Sequence, residues 1–378
     1  MVNPLSGWLL CLGCLLQGAL GFTSHALPRR PRLCTSSAAP PAAVPSQSLW
    51  CAPVADDVVQ LSVADDAHTA EDLSLDELDG DSSNGSVWLA RGTLLTVAAL
   101  YGTNYSSIKV LQEMWDGDGA AAVRFIIAAV CTLPWLVKLP KEALAGGLQV
   151  GAFNAIGYLS QFEALHQTTA SKTAFIGSLA VVAVPCFEAL SGQASAAGAL
   201  LPAMVATAGV MLLELGGLTP PNSGDLVALA QPLFFGLGYW RLGAVTKQWP
   251  GLSLPLVAAQ SLAVAVVVAA YAFATHGLPT PAGVTAALRA QPALGGALVW
   301  TGIMTTVVSA IMETKALRVL SAAEATVLYS TEPLFATLFA AVLVGEGLGG
   351  WSTGAGAALI LAACLWRVLL KPPAAAPL

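Results

Sequence analysis

Charge is what this chain has least of. Only 10% of its 378 residues are Asp, Glu, Lys or Arg, while 56% are hydrophobic. A soluble domain of this length needs a charged surface to stay dispersed, and this composition cannot supply one. Basic clusters are missing too, so nothing resembles the basic stripe with stacking aromatics that nucleic-acid binding uses. Histidine is scarce at four residues, and His25, His68 and His276 fall in leader, tail or loop sequence. No His/Cys/Asp/Glu group has metal-ligand spacing, so neither metal nor cofactor is expected. The seven cysteines build no framework: Cys11, Cys14, Cys34 and Cys51 are N-terminal, and Cys131, Cys186 and Cys364 sit in separate apolar stretches. Cys11 and Cys14 have redox spacing but lie inside a leader-like apolar run. No G-x-x-x-x-G-K-[ST] loop exists, which argues against an ATP-driven pump. Ser178 and Ser309 have no His/Asp companions, so no enzyme is expected.

Long apolar runs are what is there. From Arg91 to Lys371, stretches of about twenty apolar residues alternate with short polar or Pro/Gly breaks, the length that crosses a bilayer as a helix. Ten spans are expected: 92–112, 119–137, 143–165, 171–190, 194–213, 226–245, 252–275, 294–316, 322–344 and 352–370. Abundant Ala and Gly suit close helix packing in lipid.

These spans read as a duplication. Tyr101-Gly102, Asn104-Tyr105 and Trp115-Asp116-Gly117 recur at one offset as Phe235-Gly236, Gly238-Tyr239 and Trp249-Pro250-Gly251. Gly151, Ala164-Leu165 and Thr169-Ala170 recur at a slightly longer offset as Gly302, Ala316-Leu317 and Ser321-Ala322. Five spans per half is odd, so the second half enters the membrane in the opposite sense. Inverted repeats of this kind build many secondary transporters, with substrate held between the halves.

Charge bias sets orientation. Arg91, Lys138, Lys141, Lys247, Lys315, Arg318, Arg367 and Lys371 fall on the side of both termini; Lys109, Arg124, Lys172 and Arg289 fall on the other. Upstream, residues 1–21 have the form of a signal peptide with cleavage before Phe22. Residues 22–55 are Ser/Ala/Pro-rich, with Arg29, Arg30 and Arg32, and resemble a transit peptide. Together they resemble the two-part plastid presequence of algae with secondary plastids. The expected location is therefore a plastid envelope membrane, the alternative being an endomembrane or plasma membrane reached by an ordinary secretory leader. Residues 56–87 form an acidic linker, 88–215 and 216–371 the two repeats, and 372–378 a short tail.

An ionisable group inside a membrane helix is costly unless paired or wet, so each is a functional candidate. Glu332-Pro333 is the sharpest. Proline removes a backbone donor and frees carbonyls to face a cavity, and the adjacent carboxylate can bind a cation or carry a proton. The alternative is a structural pairing that fixes helix packing. Tyr101, Asn104 and Tyr105, with counterpart Tyr239, are candidates for the cavity wall, Tyr105 and Tyr239 serving otherwise as an interfacial belt. Pro232 is expected to kink the sixth span. Gln161 and Glu313 are repeat-equivalent cavity candidates, placed near enough to helix ends to meet water. Lys172 and Glu324 are another equivalent pair, read as a gate salt bridge or as snorkelling charges. Lys109 and Arg124 flank the first hairpin and could attract an anion, opposed by Glu113, Asp116 and Asp118.

The order of these motifs resembles the EamA family of the drug/metabolite transporter superfamily. The resemblance is carried in the first half by Tyr101-Gly102-Thr103-Asn104, Lys109, Arg124, Gly157-Tyr158, Ala164-Leu165 and 170–175. In the second half it is carried by Ala316-Leu317, 321–325, Glu332-Pro333, Gly345-Glu346 and Gly354-Ala355. It implies an all-α membrane protein of ten helices in two inverted five-helix repeats around a central cavity, carrying a small organic metabolite by alternating access, with protons a candidate coupling ion. Two departures stand out: Gly192-Gln193 replaces a common Gly-Glu, and Ala180-Val181 stands where the second repeat has Glu332-Pro333. The superfamily also contains sugar-phosphate and nucleotide-sugar antiporters, which bind phosphate with late basic residues. Lys315 and Arg318 are the nearest match here. Beyond the bilayer and a small molecule, a homodimer is the partner considered. A non-transporting membrane scaffold is the reading from another class.

Overall fold

The structure is a computed structural model that describes residues 84–115, 117–168, 170–192, 196–214, 222–275, 277–343 and 350–369. The leader, transit-like and most of the acidic segment, the C-terminal tail, Asp116, Gln193 and Gly345-Glu346 lie outside the described residues. So do the side chains of Lys109, Glu113, Asp118 and Lys172.

The described residues are helical throughout, without a strand. In the first repeat the helices are α1 (Asn84–Met114), α2 (Gly117–Leu136), α3 (Lys141–Gln167), α4 (Ala170–Ser178), α5 (Ala180–Leu190) and α6 (Ala196–Glu214). The second repeat runs α7 (Ser223–Ala228), α8 (Ala230–Gln248), α9 (Ser253–Thr275), α10 (Pro281–Ala290), α11 (Pro292–Val299), α12 (Ser309–Ala316), α13 (Ala322–Tyr329), α14 (Glu332–Leu343) and α15 (Trp351–Leu369). A π-helical stretch, Trp300–Val308, joins α11 to α12.

Polarity is distributed inside out. Val130, Leu133, Leu201, Met204, Phe273, Leu361 and Leu365 are exposed, while Arg124, Gln161, Glu188, Gln231, Glu313, Glu324 and Arg367 are each at most 5% exposed. Water rewards the opposite arrangement, and hydrocarbon rewards this one. Four segments, Gly119–Leu136, Thr173–Leu190, Pro250–Thr275 and Pro292–Ala316, are long and apolar enough to cross a membrane.

Contacts obey the duplication. α2 packs on its counterpart α9, and α6 on its counterpart α15. The contact of α3 with α8 is mirrored by that of α12 with α1, and α5 on α8 by α14 on α1. Exchanging the halves therefore maps the packing onto itself. The lengthened offset in the second half has a cause: α10, between α9 and α11, has no counterpart at 137–140. The sequence reading missed this exposed helix, which begins on an N-cap from Thr280 with Pro281 in the first turn.

Three spans expected as single helices are broken. The fourth divides at Leu179, the sixth at Leu229 and the ninth at Ser330-Thr331. Pro333 cannot donate to the Tyr329 carbonyl, nor Pro232 to that of Ala228. At the ninth-span break, the Ser330 hydroxyl donates to the Thr326 carbonyl at 3.1 Å and the Thr331 hydroxyl to that of Leu328 at 2.7 Å. At the fourth, Ser178 does the same to Phe175 at 2.7 Å, and Leu179 N–H bonds three residues back, to Ile176. Such hydroxyl bonds compete with the helix ladder and bend it. Ser178 and Ser330 are related by the same offset as Ala164 and Ala316, so the repeats are broken at equivalent points.

Helix seams close through missing side chains. A Cβ on Gly356 would stand 2.5 Å from the Gly209 carbonyl and 2.5 Å from Leu213 N, whereas one on Gly354 would meet nothing within 4 Å. Gly356→Ala is therefore expected to force α15 off α6 at a cost of about 1–3 kcal/mol. Gly354→Ala should leave stability unchanged or slightly raised. Thermal unfolding of the two variants in detergent checks this; equal melting temperatures would contradict the seam.

Candidate functional site

The breaks in the fourth and ninth spans open onto one cavity. Its wall comes from both repeats: Tyr101, Asn104 and Tyr105 from α1, Tyr158 and Gln161 from α3, and Gly177, Ser178, Ala180 and Val181 around the α4–α5 break. Phe235 and Tyr239 come from α8, and Thr326, Tyr329, Ser330 and Glu332 from the α13–α14 break. Among the predicted residues, Tyr101, Asn104, Tyr105, Gln161, Tyr239 and Glu332 meet here.

The hydrogen bonds tie the wall together. The Tyr105 hydroxyl sits between the Gln161 amide and the Glu332 carboxyl. The Tyr101 hydroxyl donates to Glu313 Oε2 at 3.0 Å. Glu313 thus stands just behind the wall, its carboxyl shared between the Tyr101 and Tyr329 hydroxyls. The Tyr239 and Tyr329 rings lie 5.4 Å apart, and Tyr329 and Tyr101 5.8 Å. Opposite them, Tyr158 meets Phe235 edge-on at 5.0 Å. Tyrosine contributes apolar area with a polar tip, which suits a lining that must be both greasy and hydrogen-bonding.

Several expectations change here. Gln161 and Glu313, expected near water at helix ends, are 4% and 5% exposed and enclosed by protein. Arg124 is not a free charge beside a hairpin. It is 2% exposed, donates to Asn104 Oδ1 at 3.2 Å, and lies over the Phe125 ring at 4.3 Å and the Tyr158 ring at 5.6 Å. Asn104 Oδ1 also accepts from the Thr305 hydroxyl at 2.9 Å, locking that amide. Glu324 is engaged by Arg91 at 2.8 Å and Arg367 at 3.8 Å and is 5% exposed, so it does not snorkel to the surface; the side chain of Lys172 lies outside the described residues. Pro232 and Pro333 are buried at breaks and do not line the cavity; neither do Lys315 or Arg318.

Sequence reading missed Tyr158, Ser178, Thr326, Tyr329 and Ser330 as wall residues. The repeat contained the clue, since the two serines are equivalent and flank Glu332. It also missed Glu188, 1% exposed, whose Oε1 accepts from Ala323 N–H at 3.0 Å at the start of α13. The start of α13 is further capped by the Ser321 hydroxyl, which accepts from Glu324 N–H at 3.1 Å. Around these polar groups, Leu94, Val97, Val184, Leu317, Leu320, Ala323 and Val327 form one buried cluster.

The comparisons with known proteins agree with this picture. The EamA-like transporter family model matches residues 89–215 and again 222–369. The chain belongs to the EamA-like transporter family. An uncharacterized transporter of Archaeoglobus fulgidus is 27% identical over 260 residues, spanning 67% of this chain and 77% of its own. A crystal structure of a protein at 17% identity superposes with a TM-score of 0.58, over 76% of this chain and 98% of that one, which is a likeness of fold. The protein is thus a multi-pass, two-repeat helical membrane transporter, and its family indicates transport rather than catalysis.

The Arg91–Glu324–Arg367 group carries its own prediction. Removing the central acid from a buried ion cluster leaves two cations unpaired, at a typical cost of about 3–5 kcal/mol. Glu324→Ala should lower the melting temperature in detergent far more than Glu142→Ala at an exposed position. Equal effects would mean that the cluster contributes nothing.

Proposed function

We propose that this protein is a secondary-active carrier of a small organic metabolite. Ten spans, arranged as two inverted five-helix repeats, would expose the cavity alternately to the two sides of the membrane. The observation that carries the reading is Glu332: a carboxylate at a helix break, inside a cavity walled by both repeats. A scaffold using the same fold would not require a polar cavity.

Alternating access needs an end that can close. The buried cluster beneath the cavity, with Arg91–Glu324–Arg367 and the Glu188 contact to Ala323, supplies such a closure from helices of both repeats. Interfaces of this kind have discrete arrangements, so opening would mean exchanging these contacts for a matching set at the opposite end. Glu332, faced by Tyr105 and Gln161 and with Tyr239, Tyr329 and Glu313 nearby, is the group we assign to proton coupling. The sugar-phosphate antiporter reading is weakened by the lining, because no Lys or Arg belongs to it among the described residues. The two-part leader composition supports a plastid envelope as the membrane concerned.

The test is uptake and counterflow by the full chain in proteoliposomes with amino acids, organic acids, amines and sugar phosphates, with and without a pH gradient. We expect saturable, gradient-driven accumulation that falls at least tenfold in Glu332→Gln. Exchange that ignores the gradient and survives that substitution would make Glu332 structural and the protein an exchanger.

A further inference from the structure

We propose that the cavity takes an organic cation: a small molecule with a positively charged nitrogen on an apolar or aromatic body. The inference rests on the carrier reading above and names its substrate class.

Charge comes first. Glu332 is the ionisable acid of the lining, and no Lys or Arg accompanies it among the described residues. Arg124, which lies against Asn104 and Tyr158 of the wall, does not itself line the cavity; one of its Nη atoms donates to Asn104 and it lies over two ring faces, while its Nε has no partner. An anionic ligand would meet the Glu332 carboxylate in the lining itself, which repels it. A cation meets an opposite charge there.

The rings make the same selection. Tyr239, Tyr329 and Tyr101 form a continuous aromatic wall, at centroid separations of 5.4 and 5.8 Å. A π face is the negative end of the ring quadrupole, so it attracts ammonium and repels carboxylate or phosphate. On the other side Tyr158, Phe235 and Val181 offer surface for an apolar body.

Behind the wall, the Glu313 carboxyl is hydrogen-bonded to Tyr101 and Tyr329, which places a second acid close to the two rings a cation would face.

The test uses radiolabelled phenethyltrimethylammonium, a permanent cation, in equilibrium dialysis against the purified full chain. Phenethylamine, its neutral analogue 2-phenylethanol and its anionic analogue 3-phenylpropanoate serve as competitors. We expect saturable binding displaced by phenethylamine but by neither of the other two. Binding should weaken at least tenfold in Glu332→Gln and in Tyr239→Leu, with Tyr239→Phe recovering most of the loss, because a phenyl face still attracts a cation. Displacement by 3-phenylpropanoate as effective as by phenethylamine would overturn the proposal. So would affinities unchanged across the variants, or no saturable binding by folded protein. Counterflow on the same preparations separates the two levels. Cation binding without flux of any compound keeps the site and overturns the carrier reading; flux of the neutral or anionic analogue without cation binding does the reverse.

Discussion

Inside hydrocarbon a backbone carbonyl or amide has no water to fall back on, so every interruption of a helix must be repaid by protein or by a polar space. The rest of this structure depends on where those interruptions fall. Serines 178 and 330, at matched points of the two repeats, divert carbonyls to their own hydroxyls, and Pro333 removes a donor from the second break. Two broken helices facing each other leave polar backbone in the middle of the bundle. The side chains gathered there (three tyrosines of one wall, Gln161, Asn104 and Glu332) are the polar company such backbone requires. The cavity is thus the joint product of two local failures of helical regularity.

Small residues perform the complementary task away from the cavity. The α6–α15 seam brings the Gly209 and Gly356 backbones together, and α3 meets α9 where Gly147 and Gly151 have no side chain to hold the helices apart. Lipid provides no hydrophobic drive for such seams, so close packing has to hold them.

The fold was legible because its signals are long. Twenty-residue apolar runs and a duplicated motif order survive any local ambiguity, and they led to the all-helical two-repeat reading. The cavity wall was legible where the repeat put polar or aromatic residues in register, as with Tyr101, Tyr105 and Tyr239. Burial was not. Arg124 and Glu324 looked like hairpin and loop charges, because a sequence does not say that Asn104 or Arg91 waits across a helix interface. Tyr329 was invisible for a related reason: its counterpart is Gly177, so the comparison of halves that exposed the other wall residues had nothing to match. The added helix α10 hid in the lengthened offset, because the extra residues carry no period long enough to be read as structure.

The pairing of Tyr329 with Gly177, and of Glu332 with Ala180, means that bulk and charge both sit on one side of the axis relating the halves. Under the alternating access proposed above, a carrier built this way would be kinetically lopsided: its two access states would not be mirror images to a bound molecule, so half-saturation concentrations measured from the two sides of the membrane need not agree. Detailed balance still ties the ratios of rate constants around the cycle to the driving gradient, so the lopsidedness cannot pump anything. What it can do is set which direction runs near saturation and which runs in proportion to supply.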